Sequence, residues 1–199
     1  MSVGSFINSV SKNGIYIAAS QIKATELPQR RWLRLQNRYA TDVLERINTD
    51  HTSGTLPNDN ELAEYVAASV ITHCYDGWRF LAQAVDSLLD GDLGTALHLA
   101  YYAELRATLS FLASEGIAIF NRHNYWFDSM GTSHLFAGNT HTITWKVLNE
   151  WADVPANSTR LLKLFRVNGI TFDDWLVAAG YRTSSISLRC EIPVLWRQC

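Results

Sequence analysis

Two long apolar-periodic segments, separated by only Asp90-Gly91-Asp92, constrain the fold of this chain more than any other feature. The first begins at Asn58, an N-cap residue whose partner Glu61 stands three positions on, the spacing of a capping box. Its stripe runs through Leu62, Tyr65, Val66, Ser69, Val70, His73, Cys74, Leu81, Ala84, Val85, Leu88 and Leu89. At 1.5 Å per residue this predicts a helix of roughly 45 Å, straight or bent at Gly77, its one helix-weakening residue. The second runs from about Leu93 through Ala96, Leu97, Ala100, Tyr101, Glu104, Leu105, Thr108, Leu109 and Leu112 to Glu115, and Gly116 ends it. So short a connection forces an antiparallel pair, and this hairpin, residues 59–115, is the expected scaffold.

Weaker helical periods flank it. Trp32, Leu35, Tyr39, Val43 and Ile47 predict a helix from Pro28 to about Asn48, with Pro28 in its first turn and a loop over 49–59. Further helices are expected at 140–151, at 158–167 and at 173–179, the last capped by Thr171 with Asp174. Residues 1–24 read as an extension forming a short helix or a strand. Residues 117–140 show no helical period and read as a long loop. The tail, 184–199, carries Ile186, Leu188, Ile192, Val194, Leu195 and Trp196, and is expected to pack on the body or on a partner. The expectation is therefore an all-α fold, one helical domain over 1–199 with about six helices bundled around the hairpin.

Charge and composition narrow the functional classes. Charged residues are 18% of the chain against 47% hydrophobic, so little charge covers the surface and a homo-oligomer or protein partner is expected. A formal charge of −2 gives no global field toward polyanions, so nucleic acid could be met only through a local patch. Cys74, Cys190 and Cys199 are odd in number and carry no C-x-x-C spacing, which argues against a disulfide framework and a cysteine zinc site. A reducing cytoplasm fits, and no stretch has the length or apolarity of a membrane span. Phosphate-loop, dinucleotide, serine-hydrolase and zinc-protease motifs are all missing, and no metal or cofactor is expected.

Three clusters remain as candidates. Asn121, Arg122, His123, Asn124, Asp128, His134 and His141 concentrate imidazoles, guanidinium and amides near the start of a helix. Arg122, His123 and His141 are the candidate catalytic set for a metal-independent nuclease, expected on one concave surface. Against this, turn and cap histidines commonly bond to backbone. Arg30, Arg34 and Arg38 step by four and would make a basic ridge able to touch nucleic-acid phosphates, although Glu26, Asp42 and Glu45 offer ordinary ion pairs nearby. His73 on the long stripe needs a buried partner, and a core hydrogen bond is the plain reading.

The segment His98-Leu-Ala-Tyr-Tyr-Ala-Glu-Leu-Arg-Ala107, continuing to Ser114-Glu-Gly-Ile117, resembles the Tyr-Tyr-x-x-Leu-Arg-Ala helix of bacterial helical-bundle proteins of the HEPN kind. The likeness covers about 60 residues, and such proteins are similar in being built on long antiparallel helices. It implies a helical scaffold and a place among toxin and antiphage systems, where many such proteins are ribonucleases or ribonuclease-derived partners. Active members set an arginine, a polar residue and a histidine at a short spacing on one helix. Here Arg122 and His123 are adjacent instead, so the resemblance implies a helical interaction protein of a defence or toxin-type assembly more than an enzyme.

Overall fold

The computed structural model describes residues 3–25, 33–34, 36–55, 57–164, 166–167 and 169–178. The helices are α1 (Val3–Phe6), α2 (Asn13–Thr25), α3 (Val43–Ser53), α4 (Asp59–Leu89), α5 (Leu93–Ser114), α6 (Thr140–Ala152), α7 (Pro155–Leu164) and α8 (Phe172–Ala178). The strands are β1 (Ile117–Ala118), β2 (His123–Phe127), β3 (Ser133–Ala137), β4 (Arg166–Val167) and β5 (Ile170–Thr171). These group into two compact units, residues 9–144 and residues 3–8 with 145–178. The tail 184–199 lies outside the described residues.

In the first unit the expected hairpin is present. Asn58 accepts from the Glu61 N–H at 3.3 Å, and Asp92 accepts from the Thr95 N–H at 3.1 Å, so both helices start on side-chain caps. The register is fixed where Ser110 donates to the Val70 carbonyl at 2.6 Å. At Gly77 an added Cβ would lie 3.4 Å from the Ala103 carbonyl oxygen and 3.5 Å from the Ala107 nitrogen, so the missing side chain lets α5 approach closely. We expect Gly77→Ala to fit and to gain up to about 1 kcal/mol of helix propensity. Gly77→Leu is expected to cost about 1 to 3 kcal/mol through overpacking, and urea unfolding of the pair measures the difference.

On this scaffold α2 lays Ile15, Ala18 and Ile22, a three- and four-residue stripe, into one core with Ala63, Val66, Ala67 and Ala68 of α4. The N-terminal extension is thus helical.

Two expectations are corrected. The chain is mostly helical but not all-α, because residues 117–137 form a three-stranded antiparallel sheet, β1-β2-β3, instead of a loop. In β2 Asn124, Tyr125, Trp126 and Phe127 are all buried, so the strand is covered on both faces and its sequence shows no alternation. Second, the described residues 33–34 and 36–42 form turns and α3 begins at Val43, while residues 28–32 of the expected helix lie outside the described residues. The Tyr39 N–H is taken by Asn37 Oδ1 at 2.9 Å, and the Asn37 and Ala40 N–H groups bond three residues back. Local side-chain bonding here outcompetes the helical ladder. Tyr39 and Ile47 still reach the core, which is why the stripe looked helical.

In the second unit Val3, Phe6, Ile7, Val147, Trp151, Ala152 and Leu162 are buried, and Arg160 lies over the Trp151 ring at 5.5 Å. The Asp174 N–H donates to Thr171 Oγ1 at 3.2 Å while that hydroxyl donates to Asp174 Oδ2, which caps α8 as expected.

Candidate functional site

Helix α5, the β1–β2 turn and the start of α6 line a recess of about 270 Å³. Tyr102, Leu105, Arg106 and Leu109 of α5 form one wall, Asn121 of the β1–β2 turn closes one side, and Asn139, Thr140 and His141 at the start of α6 close the other. Positions 102, 105, 106 and 109 share a helix face by their three- and four-residue spacing. Buried Asn124 holds the turn in place, accepting from the Phe120 N–H at 2.8 Å and donating to the Gly138 carbonyl at 3.0 Å.

Arg106 is the fixed cation of this recess. Its Nη1 donates to His73 Nδ1 at 3.0 Å, and its Nε stands 4.0 Å from Asp76 Oδ2. Because a guanidinium can only donate, His73 Nδ1 must accept, which places the neutral imidazole's proton on Nε2. Burial first, then the Arg106 charge, push the His73 pKa down from 6.5 to about 4, against a smaller opposing pull from Asp76. Above pH 6.5 both folded and unfolded chains carry this imidazole neutral, and between pH 6.5 and 4 only the unfolded chain takes the proton. Stability is therefore expected to fall by up to about 3 kcal/mol across that window. Urea midpoints against pH should lose this component in His73→Gln, where a neutral amide oxygen accepts instead.

The structure distributes the candidate histidines among separate partners. His141 lines the recess, and its Nδ1 shares a 2.7 Å hydrogen bond with Tyr101 Oη. Arg122 and His123 do not line it. Arg122 is exposed on the β1–β2 turn, and the His123 ring lies 4.2 Å from the His51 ring. Burial, then His51, then Arg122 lower the His123 pKa. His134 bonds Asp128 at 2.8 Å and stacks on Trp126, while Asp128 also accepts from the Met130 and Thr132 N–H groups and so shapes the β2–β3 turn. That hydrogen bond to His134 is the main cause holding the Asp128 carboxyl below its ordinary range. The recess itself offers donors suited to a carboxylate or phosphate, and no acid or thiol lines it. Among the described residues no cluster of histidine, cysteine and acidic side chains could hold a metal.

The arginine row also finds partners within the unit. Arg34 clasps buried Glu64 with both Nε and Nη2, and Arg38 pairs with buried Asp50, to which Tyr39 Oη also donates. Arg30 lies outside the described residues. Arg34 and Arg38 sit on turns, so they form no helical ridge.

A larger feature lies on α4. Written as heptads, Ile71, Trp78 and Val85 occupy a, Cys74, Leu81 and Leu88 occupy d, and Tyr75, Ala82 and Leu89 occupy e, with every one of the nine exposed. Tyr75 is 65%, Trp78 68% and Leu89 80% exposed, values that water-facing helix positions ordinarily give to polar residues. In the preceding heptad Glu64, Ala67 and Ala68 are buried, with Arg34 and Asn37 on Glu64 and the two alanines in one core with α2. The stripe read from sequence as one core face thus divides. Leu62, Val66 and Ala84 are buried, and Leu81, Val85, Leu88 and Leu89 are not. Sequence reading missed the seam because its strongest members, Tyr75 and Trp78, sit beside that stripe; their three-residue offset was the available signal.

No helix among the described residues is long and apolar enough to cross a membrane. Comparison with protein-family models, with curated proteins and with solved structures gives no match.

Proposed function

We propose that this chain is a non-enzymatic helical interaction protein that works through the seam of α4. The supporting observation is the run of nine consecutive a, d and e positions, all apolar and all exposed over 71–89. An exposed apolar strip of this length is rare on a monomer and ordinary at an interface. The donor-lined recess lends weaker support to an anion-binding role, since its histidine and arginine already have protein partners.

A photo-reactive amino acid at Val85, in cells expressing the chain, is expected to give a covalent adduct. The same residue at Gln83, exposed but outside the seam, is expected to give none. Absence of any intermolecular adduct from Val85 would overturn the reading.

A further inference from the structure

We infer that the seam's partner is a second copy of this chain, joined in an antiparallel four-helix bundle about a two-fold axis; this rests on the interaction reading above. The hairpin is already half of such a bundle. On α5, Leu93 (58% exposed), Leu97 (50%) and Ala100 continue at four- and three-residue steps. Measured from the line of contact between the helices, this row and the α4 seam turn to the same side of the hairpin, given 100° per residue and opposite chain directions. Each copy therefore presents two apolar rows side by side, which is what closing a bundle by symmetry needs.

The area is sufficient. Nine large side chains between Ile71 and Leu97 are 42–80% exposed. At about 150 to 200 Å² for a full large side chain, they offer on the order of 900 Å², against about 800 Å² per partner in a stable interface. No charged residue occupies the a, d or e positions over 71–89, so two copies meet there without burying like charges.

The orientation follows from α2. It covers Ala67 and Ala68 on this same face, so two hairpins with tips at one end would collide through their α2 helices. With tips at opposite ends, each tip stops against the other's α2, and α4 faces its own copy. Burying the whole seam pairs residues whose numbers sum to about 160. Trp78 then meets the small Ala82, and Ile71 meets Leu89. The apolar tail is a poorer occupant, since Pro193 falls inside its apolar run from Ile186 to Trp196 and interrupts a helical a/d/e strip.

Sedimentation equilibrium of the full chain is expected to give a dimer. Leu81→Glu, exposed in the single copy, should weaken it roughly 100-fold or more by burying facing carboxylates, while Gln83→Glu leaves it unchanged. With the three native cysteines changed to serine, Leu81→Cys should be linked to its own copy by a short bismaleimide. Leu89→Cys should not, because the two copies of that position lie about 27 Å apart along the bundle. Linking of Leu89→Cys but not Leu81→Cys would overturn the antiparallel arrangement. A monomer whose Val85 adduct has a mass other than twice the chain would overturn the second copy and leave the interaction reading intact. A monomer whose Val85 probe reacts only within its own chain would overturn both.

Discussion

Gly116→Ala is expected to destabilise the first unit by about 3 to 4 kcal/mol, more than any other single-methyl change considered for this chain. Gly116 follows α5 with a φ of 92°, and a Cβ there would lie 2.3 Å from the Ser11 carbonyl oxygen and 3.0 Å from its carbon. Both neighbours are backbone, so no rotamer can relieve the overlap. Moving either atom pulls on further bonds: the Ser11 N–H donates to the Phe127 carbonyl at 2.8 Å, and the Phe127 N–H donates to the Gly116 carbonyl at 2.9 Å. One residue thus ties the end of α5, the segment before α2 and the strand β2. The left-handed backbone alone costs about 1 to 2 kcal/mol for alanine, and overpacking adds about 1 to 3. Gly54→Ala separates the two contributions, since its φ is 67° and nothing stands within 4 Å. It should cost only the first. Equal urea midpoints for the two variants would show that the Ser11 approach carries no energy.

Gly116 also marks how far sequence alone reached. As a glycine after a periodic run it announced a helix end, and the caps Asn58, Asp92 and Thr171 were equally legible because capping is local chemistry. What sequence could not display was coverage. Whether Leu81 and Leu88 face a core or water depends on where α2 stops, and α2 is 13 residues beside the 31 of α4. The sheet was hidden for the converse reason, since a strand buried on both faces has no alternation to read. The candidate recess was half legible: Asn121 and His141 stand in a polar cluster that the sequence displays, but nothing in the sequence joins Arg106 to them. It joins them only because the hairpin register brings it level with His73. Arg122 and His123 were grouped with His141 by proximity along the chain. The turn and the strand instead point them to other surroundings, with the His123 ring on His51.

Arg34→Met is expected to cost about 3 kcal/mol of stability, the lower end of what breaking a buried ion pair costs, because the Arg34 side chain is itself 46% exposed. Glu64 is 2% exposed on α4, and Arg34 gives it two donors, with Asn37 Nδ2 adding a third at 3.2 Å. Without the guanidinium, the carboxylate keeps one amide donor in a site that excludes water, and its desolvation is no longer offset. The double variant Arg34→Met/Glu64→Leu should recover most of the loss, since no charge is then buried, and Asn37 Nδ2 keeps its 2.7 Å bond to the Glu61 carbonyl. With its carboxylate buried the pair is screened less than a surface pair, so most of the loss should persist at high ionic strength. The basic-ridge reading makes the opposite forecast: Arg34→Met would leave the urea midpoint in place and weaken nucleic-acid binding, with the salt slope reduced by about one. Thermodynamic unfolding and a salt titration on the same two variants therefore decide whether Arg34 holds its own turn onto α4 or serves a partner outside the chain.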